Sequence, residues 1–456
     1  MKTSKIDMTH GPLLGKLIIF TIPIILSGVL QLLFNAADVI VVGRFAGQSS
    51  IAAVGSTTSL INLMTNLFVG MSIGANVCAA QFYGARHEED VEKTVHTSVA
   101  FSLIGGMILV FVGFFGARPM LELMGSPRDV LPLATLYVRI YFLAMPAIML
   151  YNFLSAILRA AGDTAHPLMF LTVAGVINVL LNLLLVIVFG MGVAGVAIAT
   201  VVSNLISCGM LIIFFIRQNG ALKLSLSKIG IDIQILKKII RVGLPAGLQG
   251  TVFSLSNVVI QSAINSFGTA VVAGSAAASS VEGFVYISMN SVSQTTVTFV
   301  GQNFGAGKED RVKKVIFETL ALVTVVGLTM GNLVYYFSEP LLKIYLDTSD
   351  GMDAVVAGSL RLFWVCCPYF LCGVMDTLTG AMRGFGQSLA PMIVSLLGAC
   401  VTRLIWIATY FQSHHEQSVL FFSYPGSWIL TVFVHSICLF IVYTKWIKKK
   451  NSEIRI

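Results

Sequence analysis

Apolar runs of about 20 residues, parted by short polar segments, follow one another along the whole chain. A helix needs about 20 apolar residues to cross roughly 30 Å of hydrocarbon, so each run predicts a membrane span. The expected spans are 17–43, 51–76, 94–116, 131–157, 167–189, 193–216, 238–266, 271–300, 313–337, 355–381, 389–411 and 426–447. The first run is too long for a cleavable signal core and lacks a small-residue cleavage site, so no removed leader is expected.

The pattern is written twice. AQFYGARHEEDVEKTV from Ala80 returns as GQNFGAGKEDRVKKVI from Gly301, and MPAIMLYNFLSAILRAAGDTAHPLM from Met145 returns as CPYFLCGVMDTLTGAMRGFGQSLAPMI from Cys367. Pro23 answers Pro245, Asn35 answers Asn257, Gln81 answers Gln302, Arg159 answers Arg383 and Pro167 answers Pro391. Six spans return each copy to its starting side, so the copies share one orientation about an axis along the membrane normal. The expected fold is an all-α integral membrane protein of twelve transmembrane helices in two pseudo-symmetric six-helix lobes. Residues 1–216 form the first lobe, 217–237 a cytoplasmic linker and 238–456 the second lobe. The IDIQILKKIIRVG stretch predicts an amphipathic interfacial helix leading into the seventh span.

Composition agrees. Hydrophobic residues make up 56% of the chain and charged residues 11%, against about 25% charged in a soluble domain. The basic residues set the orientation. Of 29 Lys and Arg, only Arg44, Arg118, Arg128 and Lys343 fall on one side, and Arg139, Arg361 and Arg403 lie within spans. The rest, from Lys2 to Arg455, share the side of both termini, which the positive-inside rule makes cytoplasmic. The net charge of +8 then faces an anionic leaflet, and no nucleic acid partner is expected.

Enzyme signatures are missing. There is no GxxxxGK[ST] loop for ATP, no GxSxG elbow and no HExxH metal site. The glycines of GQNFGAGK and GVAGVAIA fit turns and helix packing. Cys78, Cys208, Cys366, Cys367, Cys372, Cys400 and Cys438 lie in apolar spans without a CxxC pair, as small buried hydrophobes do. His414 and His415 with Glu416 fall in an outer loop, where a solvated loop outweighs metal binding. No enzymatic activity, cofactor or metal is expected, and uphill movement of a solute would draw on an ion gradient.

Charges inside spans demand a reason, because each costs at least about 2.5 kcal/mol by insertion scales. Asp38 lies roughly 33 Å along the first helix from Lys16 at about 1.5 Å per residue, in the outer half of the membrane. Gln31, Phe34 and Asn35 stand one and two turns below it, a set pointing to a cavity-facing side with a proton or cation site. Glu282 falls near mid-membrane beside Ser279, Ser280 and Tyr286, where binding of a cationic solute and a structural role are both open. Asp376 precedes Arg383 by about two turns and invites an ion pair. Arg139 and Arg361 are equivalent, each seven residues before a proline, and are expected to snorkel or meet backbone carbonyls. Arg403 has no counterpart and no evident partner.

The entry MTHGPLLGKLIIFTIPIIL, the segment LQLLFNAADVIVVGRFAG, the loops QFYGA and QNFGAGK, and LRAAGDT paired with MRGFGQS together resemble the multidrug and toxic compound extrusion (MATE) family over essentially the full length. That family belongs to a wider superfamily that includes lipid-linked glycan flippases. The resemblance implies two six-helix lobes around a V-shaped cleft, and export of organic cations against inward H⁺ or Na⁺ in a bacterial cytoplasmic membrane. It implies an ion site at Asp38, Asn178 and Thr200. At Asn182 some members carry a second aspartate, so this chain has one carboxylate fewer and Na⁺ coordination by two carboxylates is disfavoured. A carboxy-lobe cation site of another branch is unmatched: Phe253 stands where that branch has Glu, and Asp376 is displaced.

These readings give an alternating-access scheme. Asp38 takes up a proton from outside, the first span repacks or bends near Pro23 (Pro245 in the seventh), drug leaves, and the proton is delivered inside. Proton and drug must favour different conformations for the cycle to couple them. Gln31, Asn35, Met64, Phe68, Glu282, Phe284, Met289 and Asp376 are the candidate substrate contacts, with Met71 beside them, since Phe and Met repack around varied amphipathic cations. The partners expected are small organic cations, H⁺ or Na⁺ and the lipid bilayer, with the protein as a monomer. A flippase for lipid-linked glycans is the alternative, disfavoured by the scarcity of basic residues in the spans. A non-transporting membrane protein or intramembrane enzyme is a third reading, opposed by the duplication.

Overall fold

The computed structural model describes residues 5–346 and 351–454; Lys2 and Arg455 of the charge count lie outside them. Among the described residues the chain is helical, with no strand. The first half comprises α1 (Leu14–Phe45), α2 (Gln48–Ala85), α3 (Glu88–Leu123), α4 (Leu131–Phe142), α5 (Met145–Ala160), α6 (Ala165–Asn182) and α7 (Gly192–Ile216). The second comprises α8 (Ile233–Asn265), α9 (Thr269–Gly305), α10 (Glu309–Tyr336), the short α11 (Ser338–Lys343), α12 (Gly351–Cys366), α13 (Phe370–Gly384), α14 (Leu389–Ser395), α15 (Thr402–Ala408), α16 (Tyr410–Ser413) and α17 (Gln417–Ile454). A π-helical turn follows α6 at Leu183–Val188, and another joins α14 to α15 at Leu396–Val401.

Nine helices among the described residues are long and apolar enough to span, and two bent pairs raise this to eleven. The pairs are α4 with α5, bent by 48°, and α12 with α13, bent by 41°. The sequence shows each as one run, 131–157 and 355–381. The breaks fall at Pro146 and Pro368, where a ring without an N–H cannot continue the helical ladder. The twelfth is α8, whose Lys237, Lys238 and Arg241 keep its start polar. That polar start continues straight into α8, in place of a separate interfacial helix. Helices also run past the apolar windows into charged ends, as α3 does from Glu88.

The burial pattern is that of a molecule solvated by lipid. Ile40, Val188, Phe317 and Phe440 are more than 60% exposed, while Thr295, Thr296, Asn303 and Thr319 are fully buried. Buried hydroxyls donate to their own helix one turn back, as Thr296 does to Val292 at 2.8 Å. That keeps polar groups satisfied without water.

Two compact units divide the chain differently from the expected lobes. The first holds 5–7 of the described N-terminal residues and Ile22–Gly247, the second Met8–Thr21 and Leu248 onward. Two of the three divisions fall inside helices, α1 beside Pro23 and α8 beside Pro245. The start of α8 stays with the first unit because Ile235 and Ile239 join Met71, Ala75, Cys78 and Phe153 in one core cluster. Met8–Thr21 belongs to the second because Phe20 packs edge-on to Phe299, with ring centres 5.3 Å apart. Arg311 also clasps that strap, donating from Nε to Met8 O at 2.8 Å, from Nη1 to Gly11 O at 2.9 Å and from Nη2 to His10 O at 2.8 Å.

Candidate functional site

Asp38 sits on α1 with its carboxylate partly buried. Phe34, one turn below on the same face, is wedged against α6. A Cβ added at Gly175 would lie 1.8 Å from Phe34 Cε2, so only glycine lets the two helices approach this closely. That contact brings α6 beside Asp38, and Asn182 Nδ2 donates to Asp38 Oδ1. Asn182 Nδ2 also reaches Asn178 Oδ1 at 3.2 Å, and Asn178 Nδ2 reaches Ser203 Oγ on α7 at 3.5 Å. Asn182 is fully buried, and its Oδ1 has no hydrogen-bond partner. The π turn begins at the next residue, a widening of the helix often found at functional sites.

The structure therefore brings Asp38, Asn178 and Asn182 together. Thr200 joins only through the backbone of α7: its hydroxyl donates to Val196 O at 3.0 Å, while Ser203 Oγ and Asn204 Nδ2 both donate to Thr200 O, at 3.0 and 2.8 Å. Ser203 and Asn204 were not singled out in the sequence, although they follow Thr200 at helical spacing. Tyr137 and Tyr141 also stand close enough to Asp38 to interact with its charge. Asn182 is the one hydrogen-bond partner of the Asp38 side chain among the described residues, and no cation pairs with it. A carboxylate in that position can hold a proton or a small cation, with amide oxygens beside it as further acceptors.

The sequence grouped Gln31, Phe34, Asn35 and Asp38 on one face, but the helix separates them. Phe34 and Asp38 point toward α6, while Gln31 and Asn35 are exposed. Met64 and Phe68 are half-buried against the first unit's core, and Phe68 also covers Gly105. Met71 is buried.

In the second unit Phe284 is half-buried, and two further expected substrate contacts are buried. Met289 is a core residue, 1% exposed and packed on Gly327 and Gly373. Glu282 is 6% exposed and engaged by Arg361, whose Nε and Nη2 reach its two oxygens at 2.7 and 2.9 Å. That also corrects the expectation for Arg361, which meets a carboxylate. Arg139 does meet a carbonyl, Phe114 O at 3.0 Å. Asp376 faces Asn290, Arg383 and Tyr286, yet Arg383 Nη2 donates to Gln249 Oε1 at 2.8 Å in place of an ion pair. Arg403 finds its partners in Ser427 Oγ at 2.8 Å and in the rings of Tyr424 and Trp428, 4.4 and 5.5 Å from its Cζ. His415 bonds Ser266 at 2.9 Å and lies tilted against Phe267 with ring centres 4.6 Å apart, and both outer-loop histidines are exposed.

A family model described as MatE matches this chain twice, over residues 23–184 and 245–408. Each match begins at one of the paired prolines, Pro23 and Pro245. A protein of Bacillus subtilis named probable multidrug resistance protein YoeA is 28% identical over 451 residues, covering 96% of this chain and 95% of its own. The probable multidrug resistance protein NorM of Thermotoga maritima is 27% identical, covering 87% and 86%. A crystal structure of a MATE protein in complex with MaL6 shares the fold with a TM-score of 0.91 at 19% identity, covering 98% of this chain and all of that one.

Proposed function

The chain belongs to the MatE family, and from that premise we propose that it is a secondary exporter of amphipathic organic cations, driven by inward flow of H⁺ or Na⁺ through a site built on Asp38. The observation that carries the proposal is the carboxylate itself. It lies within a spanning helix, is partly buried, and has an amide chain but no cation for a partner. A charge kept in such a place at a cost of at least about 2.5 kcal/mol is expected to serve the transport cycle.

Protonation of Asp38 would remove the anionic acceptor that Asn182 now serves. Asn182, Asn178 and Ser203 would then exchange partners, and α1 would be free to bend at Pro23, beside the point where it passes from one compact unit to the other. Na⁺ would use the same oxygens but would find one carboxylate where two-carboxylate coordination needs a second, which favours H⁺. We assign Gln31, Asn35, Met64, Phe68, Phe284 and Asp376 to the substrate. The flippase reading is disfavoured because Arg361 and Arg403 are spent on internal partners, leaving them unavailable to an anionic headgroup. Both relatives quoted above carry multidrug resistance names, which supports the export reading.

The test is transport by the purified protein in proteoliposomes, with ΔpH and ΔNa⁺ imposed separately. A fluorescent organic cation should move uphill under ΔpH without ATP. Failure under both gradients would overturn the proposal. For orientation, a thiol reporter at Ser413 should label from outside intact cells and one at Asn219 should not; labelling at Asn219 would reverse the topology.

A further inference from the structure

Basic residues are scarce on the side the charge bias makes external, yet two of them, Arg118 and Arg128, meet Arg139 from the adjoining span in one place. A cavity of about 920 Å³ at the ends of α3 and α4 is lined by Arg118, Arg128 and Arg139, with Glu122, Ser126 and Thr135 among them. We propose that this pocket binds the phosphate group of an anionic phospholipid, such as phosphatidylglycerol.

The donors are largely uncommitted. Arg118 uses Nε on Glu122 Oε1 at 2.9 Å, and Arg139 uses Nε on Phe114 O. Each keeps the outer fork of its guanidinium, whose parallel N–H groups match two phosphate oxygens. Arg128 is exposed. The three arginines outnumber the single carboxylate lining the cavity, so it selects a net anion. Ser126 and Thr135 line the cavity beside them.

The surroundings favour a lipid over free phosphate. Leu131, Pro132 and Leu136 line the same cavity. Phe115, 70% exposed, and Leu123, 92% exposed, stand on the last turns of α3. These offer apolar surface for acyl chains beside the cationic rim. The duplicated half gives the contrast. Arg361, the equivalent of Arg139, is neutralised by Glu282; the first half carries Ile61 at the position corresponding to Glu282 by the Gln81 and Gln302 anchors. Arg139 therefore lacks the internal carboxylate that its twin has.

The test is thermal unfolding of the full-length protein in neutral detergent with added phosphatidylglycerol, phosphatidylcholine or inorganic phosphate. Phosphatidylglycerol should raise the midpoint by about 2–4 °C, and the other two should do clearly less. Arg128→Gln and Arg118→Gln should remove that specific gain, whereas Lys343→Gln, outside the pocket, should keep it. Arg118 and Arg128 are both exposed, so both variants should fold. An equal shift from phosphatidylcholine, or an undiminished phosphatidylglycerol shift in both pocket variants, would overturn the proposal. The full shift from inorganic phosphate alone would overturn the lipid as occupant.

Discussion

Asp38→Asn is expected to insert and to bind substrate, yet to lose uphill export. Asparagine copies the size and polarity of the protonated acid and removes a costly charge, so insertion should not suffer. Its Oδ1 can still accept from Asn182 Nδ2, so the amide chain to Asn178 and Ser203 stays intact. What disappears is the exchange of charged and neutral states that lets the ion bias the two conformations differently. Gradient-driven transport of a fluorescent cation in proteoliposomes should fall by more than about tenfold, the size of a typical coupling term. Substrate affinity at equilibrium should change far less. Asn182→Asp would restore the second carboxylate and should shift the driving ion toward Na⁺. If Asp38→Asn keeps full gradient-driven export at normal expression, the coupling group lies elsewhere, and Asp376 is the next acid to test.

The spans were legible because lipid and protein core are equally apolar, so most of them show as long apolar runs. The same fact hides which face is inside. Met289 reads like a cleft residue and is core; nothing local in SSVEGFVYISMN separates it from Phe284. The bends at Pro146 and Pro368 were hidden because the apolar runs continue through them. α8 was visible through the repeat at Pro245, although Gln249, Ser254, Ser256 and Asn257 dilute its apolar run. The unit boundaries inside α1 and α8 fall beside the paired prolines Pro23 and Pro245, which mark a bend but not a change of packing partner.

At the site, Asp38, Asn178 and Asn182 could be named from the family pattern, and the structure supplies what binds them. Asn182 meets Asp38 across 144 positions of sequence, a pairing no spacing rule contains. Phe34 against Gly175 makes that meeting possible, and a glycine in a spanning helix gives no sign of what it faces. Ser203 escaped notice because serines in such helices ordinarily bond their own backbone, and this one does that as well. The MTHGP entry carried the family resemblance without a role. The three bonds from Arg311 to its carbonyls now show why those residues must take that path.

Glu282→Gln should be among the most destabilising single changes in the second half, without being a substrate-binding defect. It would leave Arg361, 6% exposed, with its charge unbalanced in a low-dielectric interior. Breaking a buried pair from one side costs about 3–5 kcal/mol. The neighbours cannot replace the carboxylate: Ser279 Oγ is 3.5 Å from Nη2, and the Phe421 ring centre is 5.9 Å from Cζ. Arg361→Met should destabilise similarly by orphaning Glu282. The double variant Glu282→Gln with Arg361→Met should recover most of the loss, because an uncharged packed pair avoids both desolvation costs. Thermal unfolding in detergent across this double-mutant cycle gives the coupling energy directly. The cycle also separates the two roles left open for this acid. A structural pair predicts lost stability that the second substitution repairs, with export returning alongside it. Were Glu282→Gln as stable as the unsubstituted protein yet unable to export cations, and the double variant no better, Glu282 would belong to the substrate path after all.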